Sequence, residues 1–182
     1  LFFPGIFNID TEFYMIDMYK NTTQVKKNIN VVQNVFGMTV PVFAYFETNF
    51  DPIEPDFANK VLKIEEQLRN KGNKVVSFYD LVTNINEKIL RRNGYPVNIA
   101  QVKILLNLIP DIYTNFLNRE NNAGRILIFP YEITREKLNE IENMMEDPIK
   151  VTGVPYIMKE MNEIIVPQQI MSLFAAVILV FL

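Results

Sequence analysis

The C-terminal end of the sequence is the feature that most restricts what this chain can fold into. Its last thirteen residues, Ile170 to Leu182, contain one hydroxyl, at Ser172, and no charged side chain. A membrane-spanning helix needs about 20 mostly apolar residues, so thirteen are too few by themselves. A buried core segment is the alternative, but no Gly, Pro or polar residue closes the run. We therefore expect it to be the start of a helix that enters a lipid bilayer, and the chain to be an excerpt of a longer protein.

The composition of the chain is that of a folded domain with a balanced surface. Apolar residues make up 49% of the 182 residues and charged residues 21%, which excludes general disorder. The 18 basic and 21 acidic side chains give a net charge of -3. No broad basic field exists to neutralise a phosphate backbone. We therefore expect no nucleic acid among its partners.

The residue types that are missing bear on chemistry. The sequence has no Cys, His or Trp, so thiolate nucleophiles, imidazole bases and the commonest zinc ligands are all missing. It also has no Gly-rich phosphate loop, nucleophile elbow or dinucleotide fingerprint. We expect a protein that is not an enzyme, with no catalytic, cofactor-binding or metal-binding residues and no cofactor.

Four segments are short and rich in β-branched and aromatic residues, as strands are. They are "MTVPVFAYFET", "KVVSFYD", "AGRILIFPYE" and "DPIKVTGVP". The first has apolar residues on both faces, which predicts a strand buried on both sides for part of its length. The third is nearly continuous in its apolar character, which predicts a central strand.

Helices are predicted between and around these strands. Residues 21–36 carry an apolar stripe that Gly37 closes. A second helix is expected to open at Asp51 and Pro52 and to stop at Gly72. Residues 80–118 suit two or three helices, and Thr134 is placed to cap another. A last helix begins near Tyr156 and runs towards the apolar end.

The order of these elements predicts an α+β fold. Strand, helix, strand, helical insertion, strand, helix, strand is a ferredoxin-like split βαβ pattern, with four antiparallel strands covered by helices on one face. We expect an α+β domain at 21–165 with a helical insertion at about 80–122, and the start of a transmembrane helix at 166–182.

Several segments, in this order, resemble one family of membrane proteins. "VTGVPYIMKEMNEIIVPQQIMSLFAAVILVFL" is similar to the end of the first extracytoplasmic loop and the second transmembrane helix of exporters of the resistance-nodulation-cell division (RND) superfamily. "IFNIDTEFYMIDMYKN" resembles the exit from the family's first transmembrane helix, which implies such an exit at 1–20. "NVVQNVFGMTVPVFAYFE" resembles the helix, Phe-Gly turn and first strand of the porter domain, and "NKVVSFYDLV" is similar to its second strand, so the domain at 21–165 would be porter-like. The likeness is closest to the hydrophobe/amphiphile exporter and MMPL-like branch. One departure is Met38 after Gly37, where the family often has a second glycine.

The resemblance implies a function and a location. It implies an extracytoplasmic substrate-handling domain of a proton-driven exporter in a multi-pass cell-membrane protein. Hydrophobic or amphiphilic small molecules or lipids, the bilayer and the rest of the transporter chain would be its partners, and a homo-oligomer stays open. The family's proton-coupling acids lie in later transmembrane helices, so no carboxylate of this chain inherits that role. The alternatives are a membrane-tethered protein-interaction domain without transport activity and, last, a membrane-anchored hydrolase.

Candidate site residues all have a plainer structural interpretation. An adaptable pocket for apolar ligands would draw a minority of its lining from the aromatic and Met residues, most of which we expect in the core. These are Phe43, Tyr45, Phe46, Phe78, Tyr79, Tyr113, Phe116, Met144, Met145, Tyr156 and Met158.

Charged and hinge-like positions are expected to be structural too. The acidic groups suggest solvated helix faces or caps: Glu65 with Glu66, Asp51 with Glu54, and Glu160 with Glu163. The basic helix end and the strand-to-helix corner suggest ordinary helix boundaries: Lys88, Arg91 and Arg92, and Gly153, Val154 and Pro155.

Overall fold

The chain folds into a mixed α+β module followed by one long apolar helix. A computed structural model describes residues 20–37, 40–107, 113–118, 120 and 122–181. The expected exit from a transmembrane segment at 1–20 therefore lies outside the described residues, apart from Lys20.

The described residues form six helices and five strands. The helices are α1 (Gln24–Phe36), α2 (Pro55–Asn70), α3 (Phe78–Leu90), α4 (Ile99–Leu106), α5 (Arg135–Asn143) and α6 (Val154–Phe181). The strands are β1 (Val42–Glu47), β2 (Lys74–Val76), β3 (Leu117–Asn118), β4 (Ala123–Phe129) and β5 (Lys150–Thr152).

All strand pairs in the sheet are antiparallel, and the order is β2-β4-β1-β5, with β3 also paired to β4. Because β1 and β2 both run antiparallel to β4, they are parallel to each other with β4 between them. By the same argument β4 and β5 are parallel with β1 between them. The units β1-α2-β2 and β4-α5-β5 therefore interleave in one sheet, and β4 and β1 occupy its centre.

Helices cover one face of the sheet and close the core. Along β1, Val42, Ala44 and Phe46 are buried, and Ile126 and Ile128 of β4 lie beside them. They form one apolar cluster with the inner stripes of α2 and α5, which are Phe57, Val61, Ile64 and Leu68, and Leu138 and Ile141. The predicted stripe of α2 is confirmed.

Three local expectations were wrong, each for a local reason. The strand that begins at Lys74 ends at Val76, because the Ser77 hydroxyl accepts a hydrogen bond from the amide of Asp80 at 3.1 Å and caps α3. The second helix begins at Pro55 rather than Pro52, because Asp51 instead accepts from the amide of Ile53 in a turn. The sheet has a fifth strand, β3, which the sequence did not predict.

Other boundaries are confirmed. Gly37 ends α1 with φ 57°, in the left-handed conformation that glycine adopts readily. Thr134 caps α5, and its hydroxyl accepts from the amide of Lys137 at 3.2 Å. Gly153 turns the chain from β5 into α6 with φ 121°.

The segment between β2 and β4 contains α3, α4 and β3, and a buried amide holds its first loop. Asn86 of α3 donates through Nδ2 to the carbonyl oxygen of Gly94 at 2.8 Å and accepts from Gln101 of α4 at 2.9 Å. Burial of an amide is tolerated when its polar atoms are bonded in this way. Asn86 therefore ties α3 and α4 together.

Helix α6 leaves the module after its first turns. Tyr156 is buried and its hydroxyl donates to the carbonyl of Leu138 in α5. Ion pairs join Lys159 to Glu142 at 2.8 Å and Glu163 to Arg135 at 2.9 Å. Beyond Val166, which is half-buried, the large apolar side chains of α6 are exposed up to Val180. The helix continues without interruption through Pro167.

Candidate functional site

The face of the sheet that points away from α2 and α5 is the most distinctive surface of the module. We call it the open face. One row of side chains crosses four strands on it, from Val76 through Leu127 and Phe43 to Thr152, as the pairing register requires. The three apolar members of this row are only half-buried. The expectation that β1 would be buried on both sides for part of its length was therefore wrong, since on this face Phe43 is half-buried and Tyr45 is exposed.

A second row on the open face combines an aromatic ring with two cations. Tyr45 of β1 lies between Arg125 of β4 and Lys150 of β5, and 43% of Tyr45 is exposed. Arg125 donates through Nε to the carbonyl of Asn115 at 2.7 Å, and its guanidinium carbon lies 6.0 Å from the centre of the Phe43 ring. This geometry holds the guanidinium beside the apolar row, where a cation–π contact is favourable.

Two open grooves meet at the carboxyl end of β1. One has a volume of about 760 Å³ and is lined by Tyr45, Glu47, Phe50, Asp147 and Lys150 among others. The other, of about 440 Å³, includes Tyr45, Glu47, Phe116 and Arg125 in its lining. Tyr45 and Glu47 line both grooves. A ligand at this end of the open face would therefore reach Tyr45 from either side.

The structure divides the expected pocket residues into two groups. Phe46, Phe78, Tyr79 and Tyr156 are buried in the core, and Tyr79 packs edge-on against Phe57 and Phe78. The half-buried members that pack against the core are Tyr113, Phe116, Met144 and Met145. Met158 is also half-buried. Phe43 and Tyr45 lie on the open face, and Phe116 lines its smaller groove, to which the edge of the mostly buried Phe46 also contributes.

One of the acidic residues was wrongly expected on a solvated face. Glu65 of α2 is 0% exposed, whereas its neighbour Glu66 is exposed. Its Oε2 atom lies 3.2 Å from Nη2 of Arg69, which also contacts Oδ1 of Asp80 at 3.0 Å. The other carboxyl oxygen, Oε1, has no hydrogen-bond partner. Arg69 thus connects the buried carboxylate of Glu65 to Asp80 and to the protein surface.

Burial raises the pKa of Glu65 to about 7, because desolvation disfavours the ionised carboxylate. The Ser77 hydroxyl and Arg69 oppose this effect and Asp80 adds to it. The group can thus change its charge near neutral pH. Sequence position alone did not reveal it, although Glu65 directly follows Ile64 on the inner side of the helical stripe.

The remaining charged candidates are surface features. Arg91 ends α3 in a left-handed conformation with φ 52°, and Arg92 donates to Gln101 at 3.2 Å. Lys88 and Glu160 are exposed, and Glu163 pairs with Arg135. Among the described residues no group of three or more Asp or Glu side chains could hold a metal ion.

Helix α6 is long and apolar enough to cross a membrane. The candidate span is Val154–Val180, and none of its apolar window is buried inside the module. The eighteen residues from Ile164 to Phe181 carry no charge, and at 1.5 Å per residue they extend about 27 Å, close to the ~30 Å of bilayer hydrocarbon. The expected tail of thirteen residues is thus part of a longer helix.

Comparisons with known proteins do not identify the chain. No protein-family model, curated protein or solved structure matches it.

Proposed function

We propose that this chain forms the extracytoplasmic, substrate-handling part of a proton-driven, RND-like membrane exporter of hydrophobic or amphiphilic compounds or lipids. The observation that carries the proposal is α6, whose last eighteen residues, from Ile164 to Phe181, are an uncharged and mostly apolar stretch that leaves a water-exposed α+β module. In this account the module binds and passes its substrate and performs no chemistry on it. Membrane parts of the transporter outside this chain supply the driving force.

The energetics of α6 favour a membrane. Eight large apolar residues between Ile170 and Val180 are exposed. Removing each such side chain from water stabilises a structure by about 1.5–3 kcal/mol, so together they amount to on the order of 10 kcal/mol or more. That is comparable with the whole stability of a typical domain, about 5–15 kcal/mol. A bilayer removes this cost without any partner protein.

The topology of the module supports the fold that we propose for it, a ferredoxin-like porter domain. Two interleaved βαβ units with helices on one face are the defining pattern of that fold. The strand β3 and the helices α3 and α4 would then be an insertion between the second and third strands of the pattern. The alternation of buried residues with half-buried or exposed ones along β1 is consistent with this placement.

The open face is the binding surface in this proposal. Its apolar row supplies non-directional binding energy of about 25 cal/mol per Å² of buried ligand surface. Arg125 and Lys150 supply the few polar groups that fix the orientation of a ligand. An amphiphile presents both kinds of surface at once and therefore fits such a face.

The proposal is tested with the full-length protein in vesicles that contain a fluorescent lipid or a hydrophobic dye. Imposing a proton gradient should start extrusion, and collapsing it with an ionophore should stop extrusion. Vesicles without protein and vesicles with the gradient reversed are the controls. Extrusion that is indifferent to the gradient, or none with any apolar dye, would contradict the proposal.

A further inference from the structure

Helix α1 is amphipathic, and its ends are set by its own residues. The hydroxyl of Thr23 accepts a hydrogen bond from the amide of Lys26, and the amide of Gly37 donates to the carbonyl of Gln33 at 2.8 Å. At 3.6 residues per turn its five valine and isoleucine residues occupy one side of the helix. They are Val25, Ile29, Val31, Val32 and Val35. Two polar residues lie on the same side, Gln24 and Asn28, and Gln24 donates to Asn28 at 3.0 Å. Lys26 and Lys27 lie at the two borders of that side.

The apolar side of α1 is not buried by the module. Val25 is 46% exposed and Val32 is 45% exposed, and Ile29 is only half-buried. No residue of α1 belongs to the apolar core of the described residues. An apolar stripe of this width normally faces a core, a partner or a membrane.

The net charge of the segment around α1 indicates which kind of surface would cover its apolar side. Between Lys20 and Phe46 the sequence has three lysines and no acidic residue. Between Glu47 and Leu182 it has 15 basic and 18 acidic residues. A basic amphipathic helix beside an acidic module is suited to an anionic surface, and anionic lipid headgroups provide one.

The position of α1 places it at the same end of the sheet as α6. A Cβ atom on Gly37, just after α1, would lie 3.1 Å from Nζ of Lys74, at the beginning of β2. A Cβ atom on Gly153, just before α6, would lie 3.5 Å from the carbonyl oxygen of Pro41, at the beginning of β1. Lys74 is paired with Phe129 of β4, and the preceding residue of β4, Ile128, is paired with Val42, the first residue of β1. Lys74 therefore lies at the same end of the sheet as the beginning of β1. Both helices therefore join the module at the end of the sheet where β1 begins.

We propose that α1 lies in the headgroup layer of the membrane that α6 enters, with its valine side towards the acyl chains and its lysines on anionic headgroups. This inference rests on the proposed function only in requiring α6 to be in a bilayer. A short helix with five β-branched residues binds lipid weakly by itself. Attachment to an anchored module keeps its local concentration high, so weak intrinsic affinity is sufficient.

The absence of cysteine from the chain permits a direct test. Val32→Cys carries a polarity-sensitive fluorophore on the apolar side of α1, and Asn30→Cys carries it on the polar side. Leu173→Cys places the same label in α6. Each variant of the full-length protein, in a cysteine-free background, is inserted into vesicles of phosphatidylcholine alone or of phosphatidylcholine with phosphatidylglycerol, with and without brominated acyl chains.

The expected result is that bromolipids quench the Val32 label more strongly in the anionic vesicles and leave the Asn30 label almost unquenched. Lys26→Gln with Lys27→Gln should weaken the Val32 association on the order of fivefold per lysine in anionic vesicles and little in neutral ones. The inference would be overturned if the Val32 label is in water. It would also be overturned if the label is shielded from water but not quenched by bromolipids, since that result indicates a protein partner. In both cases, quenching of the Leu173 label would show that α6 is in lipid, so the proposed function would not be contradicted. A Leu173 label outside lipid overturns both.

Discussion

Glu65 is fully buried and forms an ion pair with Arg69, whose Nη2 atom lies 3.2 Å from Oε2 of Glu65. Arg69 is itself 37% exposed, so this interaction joins the interior of the α2–α3 region to solvent. A buried carboxylate with one unpaired oxygen is costly when ionised. The pair therefore makes the stability of the module depend on pH.

The first prediction concerns that dependence. The pKa of Glu65 is about 7 in the folded protein, whereas that of an ordinary glutamate is 4.5, so the folded state binds this proton more tightly than the unfolded state does. The free energy of unfolding should therefore fall as pH rises from 4.5 to about 7, by about 3 kcal/mol, and this contribution should be constant above that range. Denaturant unfolding in detergent, followed by near-UV circular dichroism of the tyrosines, measures it.

Glu65→Gln should remove most of this pH dependence, because an amide does not titrate. The matched control is Glu66→Gln, one residue away and exposed, which should leave the slope unchanged. Equal slopes in all three proteins would show that Glu65 is not the titrating group.

The second prediction concerns Gly124 in β4. A Cβ atom there would lie 2.6 Å from Cδ2 of Leu117 and 2.9 Å from Cε2 of Phe46, both buried residues. Gly124→Ala should lower the free energy of unfolding by about 1–3 kcal/mol, since overpacking forces neighbours to move. Thermal denaturation of the variant measures it. Ala123→Ser, on the opposite face of the same strand, is the control and should cost much less.

The third prediction compares two interactions that attach α6 to α5, a buried hydrogen bond and a surface ion pair. Tyr156→Phe removes a buried hydroxyl that donates to Leu138 and should cost about 1 kcal/mol or more. Arg135→Gln removes a surface ion pair with Glu163 and should cost less than about 1 kcal/mol. Amide hydrogen exchange in the first turns of α6 should rise in the tyrosine variant and barely change in the arginine variant. The reverse order would contradict this assignment.

The fourth prediction concerns the open face. Tyr45→Ala should weaken binding of an anionic amphiphile by about tenfold, because it removes the partly exposed aromatic ring that lies between two cations. Tyr131→Ala is the matched control, since Tyr131 is 52% exposed and belongs to neither groove. Binding of a fluorescent fatty acid, measured by anisotropy, distinguishes the two variants. Equal losses in both would place the binding surface elsewhere.

Local signals made much of the fold predictable. Helix boundaries at Gly37 and Thr134 depend on a few adjacent residues, and the strand over Val42–Glu47 shows in its alternating apolar residues. These features require no knowledge of distant contacts. Periodicity likewise predicted the buried stripe of α2.

The missed features depend on long-range packing. β3 has two residues and exists only because it pairs with β4, and no local pattern signals so short a strand. Glu65 is buried because α3 and β2 close over its side of α2, which the charge pattern of α2 does not encode. Part of the open face was expected to be covered. A strand with apolar residues on both sides has the same sequence pattern whether one face or both faces are packed.

The central claim is that α6 lies in lipid, and thiol accessibility tests it most directly. Ile170→Cys, Leu173→Cys and Val177→Cys are compared with Val97→Cys, a position on the module that is 89% exposed. The full-length protein in vesicles is treated with a membrane-impermeant maleimide and then again after solubilisation in denaturing detergent. The account predicts that Val97→Cys reacts at once and that the three α6 variants react only after solubilisation. Reaction of all four at the same rate in intact vesicles would contradict it.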